Sequence, residues 1–236
     1  MIKAIIFDID GTLYDYDTAH AAAFRAVTEY GAQHFGLSAE EFQALHRQGD
    51  RMLRSHIGTA NATIHNRLLR YQLMLESIGQ PITHAPVMAG LYWSTFLGNL
   101  NIFPGVQACL ETLRQSGYVL GLGTDMTADY QYQKLLGLNL LHFFDFMVCS
   151  EEVNAEKPDL KLFRRCAEKA GCAMGECVFI GDNPQKDIAG AVNAGMHPVW
   201  FCPTPREEDG MGATVIRHMS QLPALIQTFD TDSKLH

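Results

Sequence analysis

Residues 2–7, Ile-Lys-Ala-Ile-Ile-Phe, form a run that is almost wholly apolar and stops at Asp8, and this run limits the fold more than any other feature of the chain. Comparable runs recur at Tyr118–Gly123, Phe146–Cys149, Cys177–Gly181 and Pro198–Phe201. Runs that are apolar throughout, rather than at alternate positions, suit strands buried on both faces, the usual state of a parallel sheet. Helical periodicity separates them. Residues 105–116 place Val106, Leu110 and Leu113 on one stripe, and residues 159–170 do the same with Leu162, Phe163 and Cys166. Pro104 and Pro158 punctuate the starts of these two segments. The alternation predicts an α/β fold: a Rossmann-like parallel sheet with helices on both faces and ligands at the carboxyl ends of its strands.

From about Asp15 to Asn101 the rhythm changes. This stretch has no strand-like run and reads as helices over Ala19–Phe35, Ala39–Ile57, Ala62–Ile78 and Ala85–Leu97, with Gly36, Gly58 and Gly79–Pro81 at the joints. The expected organisation is therefore an α/β core from residues 1–14 and 102–229, an all-helical cap over 15–101 inserted after the first strand, and a polar, frayed tail over 230–236.

Composition narrows the partners. A net charge of −8 argues against nucleic acid and against an anionic membrane surface, both of which reward basic proteins. A small anionic ligand stays compatible, because a bound cation reverses the field inside a pocket. The six cysteines form no CxxC pair and read as reduced, buried thiols. No apolar run approaches the roughly 20 residues of a membrane span, and the expected compartment is the cytoplasm.

Four polar motifs fall at the ends of the apolar runs. Asp8-Ile9-Asp10-Gly11-Thr12 sends two carboxylates out of one strand end, with Gly11 allowing a sharp turn. Thr124-Asp125 offers a hydroxyl that can bind a phosphate oxygen or cap a helix. Lys157-Pro158 follows the run ending at Cys149. Gly181-Asp182-Asn183 is followed five residues on by Asp187, and then by Ala189-Gly190-Ala191 at a helix start. Taken singly, each motif also has an ordinary solvated or capping reading.

Together and in this order, the four motifs resemble the signature of the haloacid dehalogenase-like hydrolase superfamily. The helical insertion after the first motif looks like that superfamily's all-helical cap. Within it, Gln133-Lys134-Leu135, Gly137-Leu138, Phe144-Asp145, Ser150-Glu151-Glu152 and Gly195-Met196 are similar to the nucleotidase and N-acylneuraminate-9-phosphatase-like branch.

The resemblance implies that Asp8, Asp10, Asp182 and Asp187 converge, with Lys157 nearby. Two like charges about 4 Å apart repel by roughly 4 kcal/mol at an effective dielectric near 20. One lysine cannot offset several such pairs, and an all-oxygen donor set points to Mg²⁺. The implied roles are Asp8 as nucleophile and Asp10 as general acid/base. Asp8 and Asp182 would ligate magnesium through carboxylates and Asp10 through its carbonyl, with Asp187 supporting the metal shell. Thr124 and Lys157 would hold phosphate oxygens. The expected activity is hydrolysis of a small phosphomonoester, a nucleotide or sugar phosphate, through an aspartyl-phosphate. A sugar-phosphate mutase and a non-catalytic binding protein on the same fold are the competing expectations. Asp125 stands where the superfamily commonly has Asn, and two readings are open: an extra negative charge at the phosphate mouth, or a side chain turned away to cap a helix. In the cap, His20, Arg51, Arg54, His56 and Arg67 are candidate substrate contacts, set against an ordinary exposed helix surface for each.

Overall fold

Each apolar run forms a strand in the computed structural model, which describes residues 1–204 and 212–232. The strands are β1 (Ala4–Phe7), β2 (Val119–Thr124), β3 (Phe146–Cys149), β4 (Cys177–Gly181) and β5 (His197–Phe201). A sixth, β6 (Thr214–Ile216), has two exposed residues out of three, so it lacked the apolar signature that marks the others. All pairings are parallel, in the order β3-β2-β1-β4-β5-β6. Ile6 lies level with Gly121 of β2 and Phe179 of β4, so strand ends from distant parts of the chain come side by side. The chain leaves β1 toward β2 on one side and reaches β4 on the other, which opens a crevice at the carboxyl ends of these three strands.

The chain divides into two units, Met1–Asp15 with everything from Asn101 onward, and Tyr16–Leu100. The second unit is all helical: α1 (Tyr16–Phe35), α2 (Ala39–Ile57), a single 3₁₀ turn (Ala62–His65), α3 (Arg67–Ser77) and α4 (His84–Gly98). Ser38 begins α2 with a reciprocal cap, its hydroxyl accepting from Glu41 N while the Glu41 carboxylate accepts from Ser38 N. The segment expected as one helix over Ala62–Ile78 is broken at Asn66. The Asn66 side chain accepts from Leu69 N at 3.0 Å and starts α3 afresh. α1 packs on α4 and α2 on α3. Tyr92, Trp93 and Phe96 of α4 are buried, as core residues of this unit.

In the α/β unit the helices are α5 (Val106–Gln115), α6 (Ala128–Gly137), α7 (Ser150–Val153), α8 (Leu160–Ala170), α9 (Ala189–Ala194) and α10 (Leu222–Asp232). Ala4, Ile6, Val148, Cys177 and Phe179 share a cluster with Leu162, Phe163 and Cys166 of α8 and Ala191 of α9. The intervening residues Ile5, Phe7, Leu120, Leu122, Val178 and Ile180 are also buried, so both faces of the sheet are covered, as the unbroken apolar runs require. The expected tail from residue 230 needs correction: Asp230 lies inside α10 and accepts hydrogen bonds from Ile2 N at 2.6 Å and the Tyr118 hydroxyl at 3.0 Å. Its polarity reflects an anchor, not fraying. Residues 233–236 of that tail lie outside the described residues. All six cysteines are free thiols. No helix among the described residues is long and apolar enough to cross a membrane.

Candidate active site

The ends of β1, β2 and β4 deliver the acidic motifs. Asp8 follows β1 directly, and its N–H continues the ladder to Ile180 O at 2.8 Å, which fixes the carboxylate at the mouth of the sheet. Beyond it the backbone turns, with Leu13 N bonded to Ile9 O at 3.0 Å and Gly11 at φ +78°. A Cβ on Gly11 would lie 2.7 Å from Asp182 Oδ2, so only glycine serves both the left-handed turn and the approach of the β4 carboxylate.

Asp8, Asp182 and Asp187 form one cluster, a carboxylate oxygen of each lying within 4.8 Å of the others. Lys157 sits fully buried against it. Its Nζ is 2.7 Å from both Asp8 Oδ1 and Asp187 Oδ1, and it donates to Gly123 O at 3.4 Å. The second Asp187 oxygen accepts from Asn183 N at 3.0 Å. Burial pushes the Asp8 carboxyl well above the usual carboxylate range. Lys157 opposes the rise, while Asp187, Asp182 and Asp10 add to it. The Lys157 ammonium, although burial disfavours it, is held well above its ordinary range by Asp187, Asp8 and Asp125. Lys157 pairs with two of these carboxylates and Asp182 adds a third acid to the cluster, so negative charge predominates among these four side chains. All its donors are oxygens, which suits a hard divalent cation of the magnesium kind, and Asp8, Asp182 and Asp187 are the side chains that would hold it.

The Asp10 carboxylate turns away from this cluster. Lys134 Nζ lies 2.7 and 2.8 Å from its two oxygens, the Tyr14 hydroxyl donates a short hydrogen bond to Oδ1, and Gln131 Nε2 approaches Oδ2 at 3.3 Å. Burial would raise the Asp10 carboxyl, but Lys134, Tyr14 and Gln131 outweigh it and hold the group below the usual range. Lys134 and Gln131 lie three apart on α6, are buried completely, and both face inward. Their roles were not read from the sequence, where a glutamine and a lysine on a short helix look like a solvated face. The signal available was their i, i+3 spacing directly after the Thr124 motif.

Thr124 is buried, accepts from Gln131 Nε2 at 2.8 Å and donates to Asp125 O at 3.3 Å. Asp125 fits neither of the two readings left open. Its Oδ1 accepts from Lys157 N at 2.8 Å and its Oδ2 from Lys186 Nζ at 2.6 Å. It caps no helix, since α6 begins after Thr127, and its charge is matched by Lys186. Burial raises its carboxyl all the same. Its contact positions the Lys157 backbone.

The cap candidates all belong to the helical unit. His20 Nδ1 is 2.7 Å from the Tyr92 hydroxyl and its ring stacks on Tyr16, so it is packed among aromatics. Arg67 lies over the Tyr92 ring at 4.4 Å. Arg51 and Arg54 lie on α2, and His56 is exposed near its end.

Comparison with known proteins fits this arrangement. The profile described as Haloacid dehalogenase-like hydrolase matches residues 5–201. A Glyceraldehyde 3-phosphate phosphatase of Methanopyrus kandleri is 36% identical over 83% of this chain and 82% of its own length. A Ribulose-1,5-bisphosphate 5-phosphatase of Halopiger xanaduensis is 31% identical over 88% of each. Among solved structures, a 2-Haloacid Dehalogenase from Pseudomonas syringae superposes with a TM-score of 0.77 at 28% identity, covering 97% of this chain and 100% of that one.

Proposed function

The chain belongs to the haloacid dehalogenase-like hydrolases and is a phosphatase of that family, and we propose that it is magnesium-dependent, works through an aspartyl-phosphate on Asp8, and takes a small sugar phosphate or similar phosphomonoester. The observation that carries this reading is the buried cluster of Asp8, Asp182 and Asp187 around Lys157, beside a separate Asp10 with its own cation. Magnesium, when bound, supplies the positive charge that lets an anionic phosphate approach an anionic carboxylate.

Asp8 Oδ attacks phosphorus, the bond to the leaving oxygen breaks, and the phosphoryl group passes to Asp8. Asp10 gives the leaving alkoxide a proton. In the second half, Asp10 takes a proton from water, water oxygen bonds to phosphorus, and phosphate leaves with Asp8 restored. Lys134 and Tyr14 favour the ionised Asp10 needed in that second half. An incoming phosphate shifts it the other way, since added negative charge nearby favours the protonated carboxyl. Lys157 and Thr124 are placed to donate to the non-bridging oxygens.

The likeness to a dehalogenase frames the competing chemistry. A halide leaves without a proton, and a carbon–halogen cleavage has no task for Asp10. Its close partners Lys134 and Tyr14 support phosphate transfer instead. The test is release of inorganic phosphate from a panel of triose, pentose, hexose and nucleoside monophosphates with magnesium, run beside release of halide from 2-chloropropionate. Phosphate release that stops on chelation and returns with magnesium is the expected result. Halide release with no phosphate release would overturn the reading.

A further inference from the structure

The helical unit concentrates positive charge on one side of its own fold. α2 carries Arg47, Arg51 and Arg54 at positions i, i+4 and i+7, which share a face, and α3 adds Arg67 and Arg70 three apart. Close packing makes these two rows neighbours. A Cβ on Gly49 would lie 2.7 Å from the Arg70 carbonyl oxygen, so glycine allows the α2 backbone to approach α3 at this level. The five arginines, with His46, His65 and Asp50, line a cavity of about 470 Å³ that lies wholly within this unit.

The cavity's internal partners are too few for its donors. Asp50 is its one carboxylate, and it is shared: Oδ2 accepts from Arg54 Nε at 2.8 Å and Oδ1 pairs with Arg70 Nη2 at 2.6 Å. Arg67 spends Nη2 on the hydroxyls of Tyr92 at 3.0 Å and Tyr16 at 3.5 Å. The Nε atoms of Arg67 and Arg70 and the Nε2 of His46 remain buried with no hydrogen-bond partner, and Arg70 is only 6% exposed. Buried guanidinium N–H groups without acceptors are costly. Like charges at i, i+4 weaken a helix, and a merely solvated face mixes signs, whereas α2 has no acid beyond Glu41 except Asp50. His20 and His46 feel the same field: burial first, and then these arginines, push them down to about 4 and about 3.

We infer that this cavity is a binding site for a phosphate-class dianion, either inorganic phosphate or the phosphoryl group of a small metabolite. A phosphate's oxygens meet guanidinium forks in paired, charge-assisted hydrogen bonds. The cavity has room for a phosphoryl group together with a short carbon body. This site stands apart from the catalytic reading and can be tested without turnover.

The experiment titrates inorganic phosphate, then methylenebisphosphonate, into the Asp8→Asn protein with chelator present, following arginine Nε–H signals by NMR. Saturable shifts at two protected Nε–H groups are expected. In the double variant Arg47→Gln/Arg51→Gln, which removes two exposed charges, affinity should fall about tenfold or more, because the loss of one charge-assisted contact is enough for that. Arg25→Gln combined with Arg164→Gln, at exposed positions of α1 and α8, removes the same two charges elsewhere and serves as the Arg25 control. Unshifted arginine signals at saturating phosphate, or equal affinity in the double variant and the Arg25 control, would overturn the inference. A comparison of ligands then separates the sources. Glycerol 3-phosphate that shifts the same signals with an affinity about tenfold or more above that of inorganic phosphate assigns the cavity to a metabolite's phosphoryl group. Equal or weaker binding assigns it to the free ion.

Discussion

The α/β unit and the helical unit each gather like charges, and they do so by opposite means. In the first, backbone topology forces the gathering. Parallel strands ending at one edge bring Asp8 and Asp182 together from opposite sides of the chain, and Lys157 is buried among them as partial compensation. In the second, side-chain spacing on two packed helices does it, and the charges are five arginines around a cavity with a single carboxylate, which pairs with Arg54 and Arg70. Buried like charges held by a sheet can be moved only by breaking the sheet, so they serve chemistry that needs fixed geometry. Charges on exposed helix faces can be exchanged without loss of fold, so they suit recognition.

If the contrast is right, removing a strand-end charge should cost turnover and removing a helix-face charge should cost affinity. The largest expected effect is Asp8→Asn, which should lower kcat by about 10⁴-fold or more, in a phosphate-release assay, while the fold is kept. Next comes Lys134→Met. It leaves Asp10 buried without its cation, so the Asp10 pKa rises, and kcat should fall by about 10²-fold. The limb of the pH–rate profile set by Asp10 should move upward. An unchanged limb would separate Lys134 from proton transfer and reduce it to a packing role.

Smaller effects should be confined to one unit, and the chain offers a reporter in each, Trp93 in the helical unit and Trp200 in the other. Gly49→Ala forces α2 away from the Arg70 carbonyl and should destabilise the helical unit by about 1–3 kcal/mol. Urea unfolding followed at Trp93 in a Trp200→Phe background should show the loss, and Trp200 in a Trp93→Phe background should not.

The last effect is absent at neutral pH and appears only on acidification. His20 and His46 titrate near 4 and 3 in the folded unit, below the ordinary histidine value near 6.5. Between those values the unfolded chain binds protons that the folded unit refuses. Stability measured at Trp93 should therefore be constant above about pH 6.5 and decline as pH falls toward 4 and then 3. Phenylalanine at both histidine positions should flatten that decline.

The two units also differ in how much of them could be read from the sequence. The strands were legible because they are apolar on both faces, and the acidic motifs because each interrupts such a run abruptly. β6 was not, since an edge strand of three residues with two exposed carries no comparable pattern. Lys134 and Gln131 stayed hidden because burial of a polar helix face depends on what Asp10 does across the site. Asp125 was ambiguous for a similar reason: its partner Lys186 lies 61 residues away, and only the fold brings them to 2.6 Å. In the helical unit, Arg51, Arg54 and Arg67 could be picked out one by one. The cavity they share with Arg47 and Arg70 required the close approach of α2 and α3 at Gly49.

Every step of the proposed turnover depends on a phosphoryl group passing through Asp8. Acid-quenching the protein during turnover of a ³²P-labelled phosphomonoester with magnesium, followed by peptide mapping, tests this directly. The label should appear on the peptide containing Asp8, and should be absent after chelation and in Asp8→Asn. Label on another residue, or phosphate release by the Asp8→Asn protein at the wild-type rate, would contradict it.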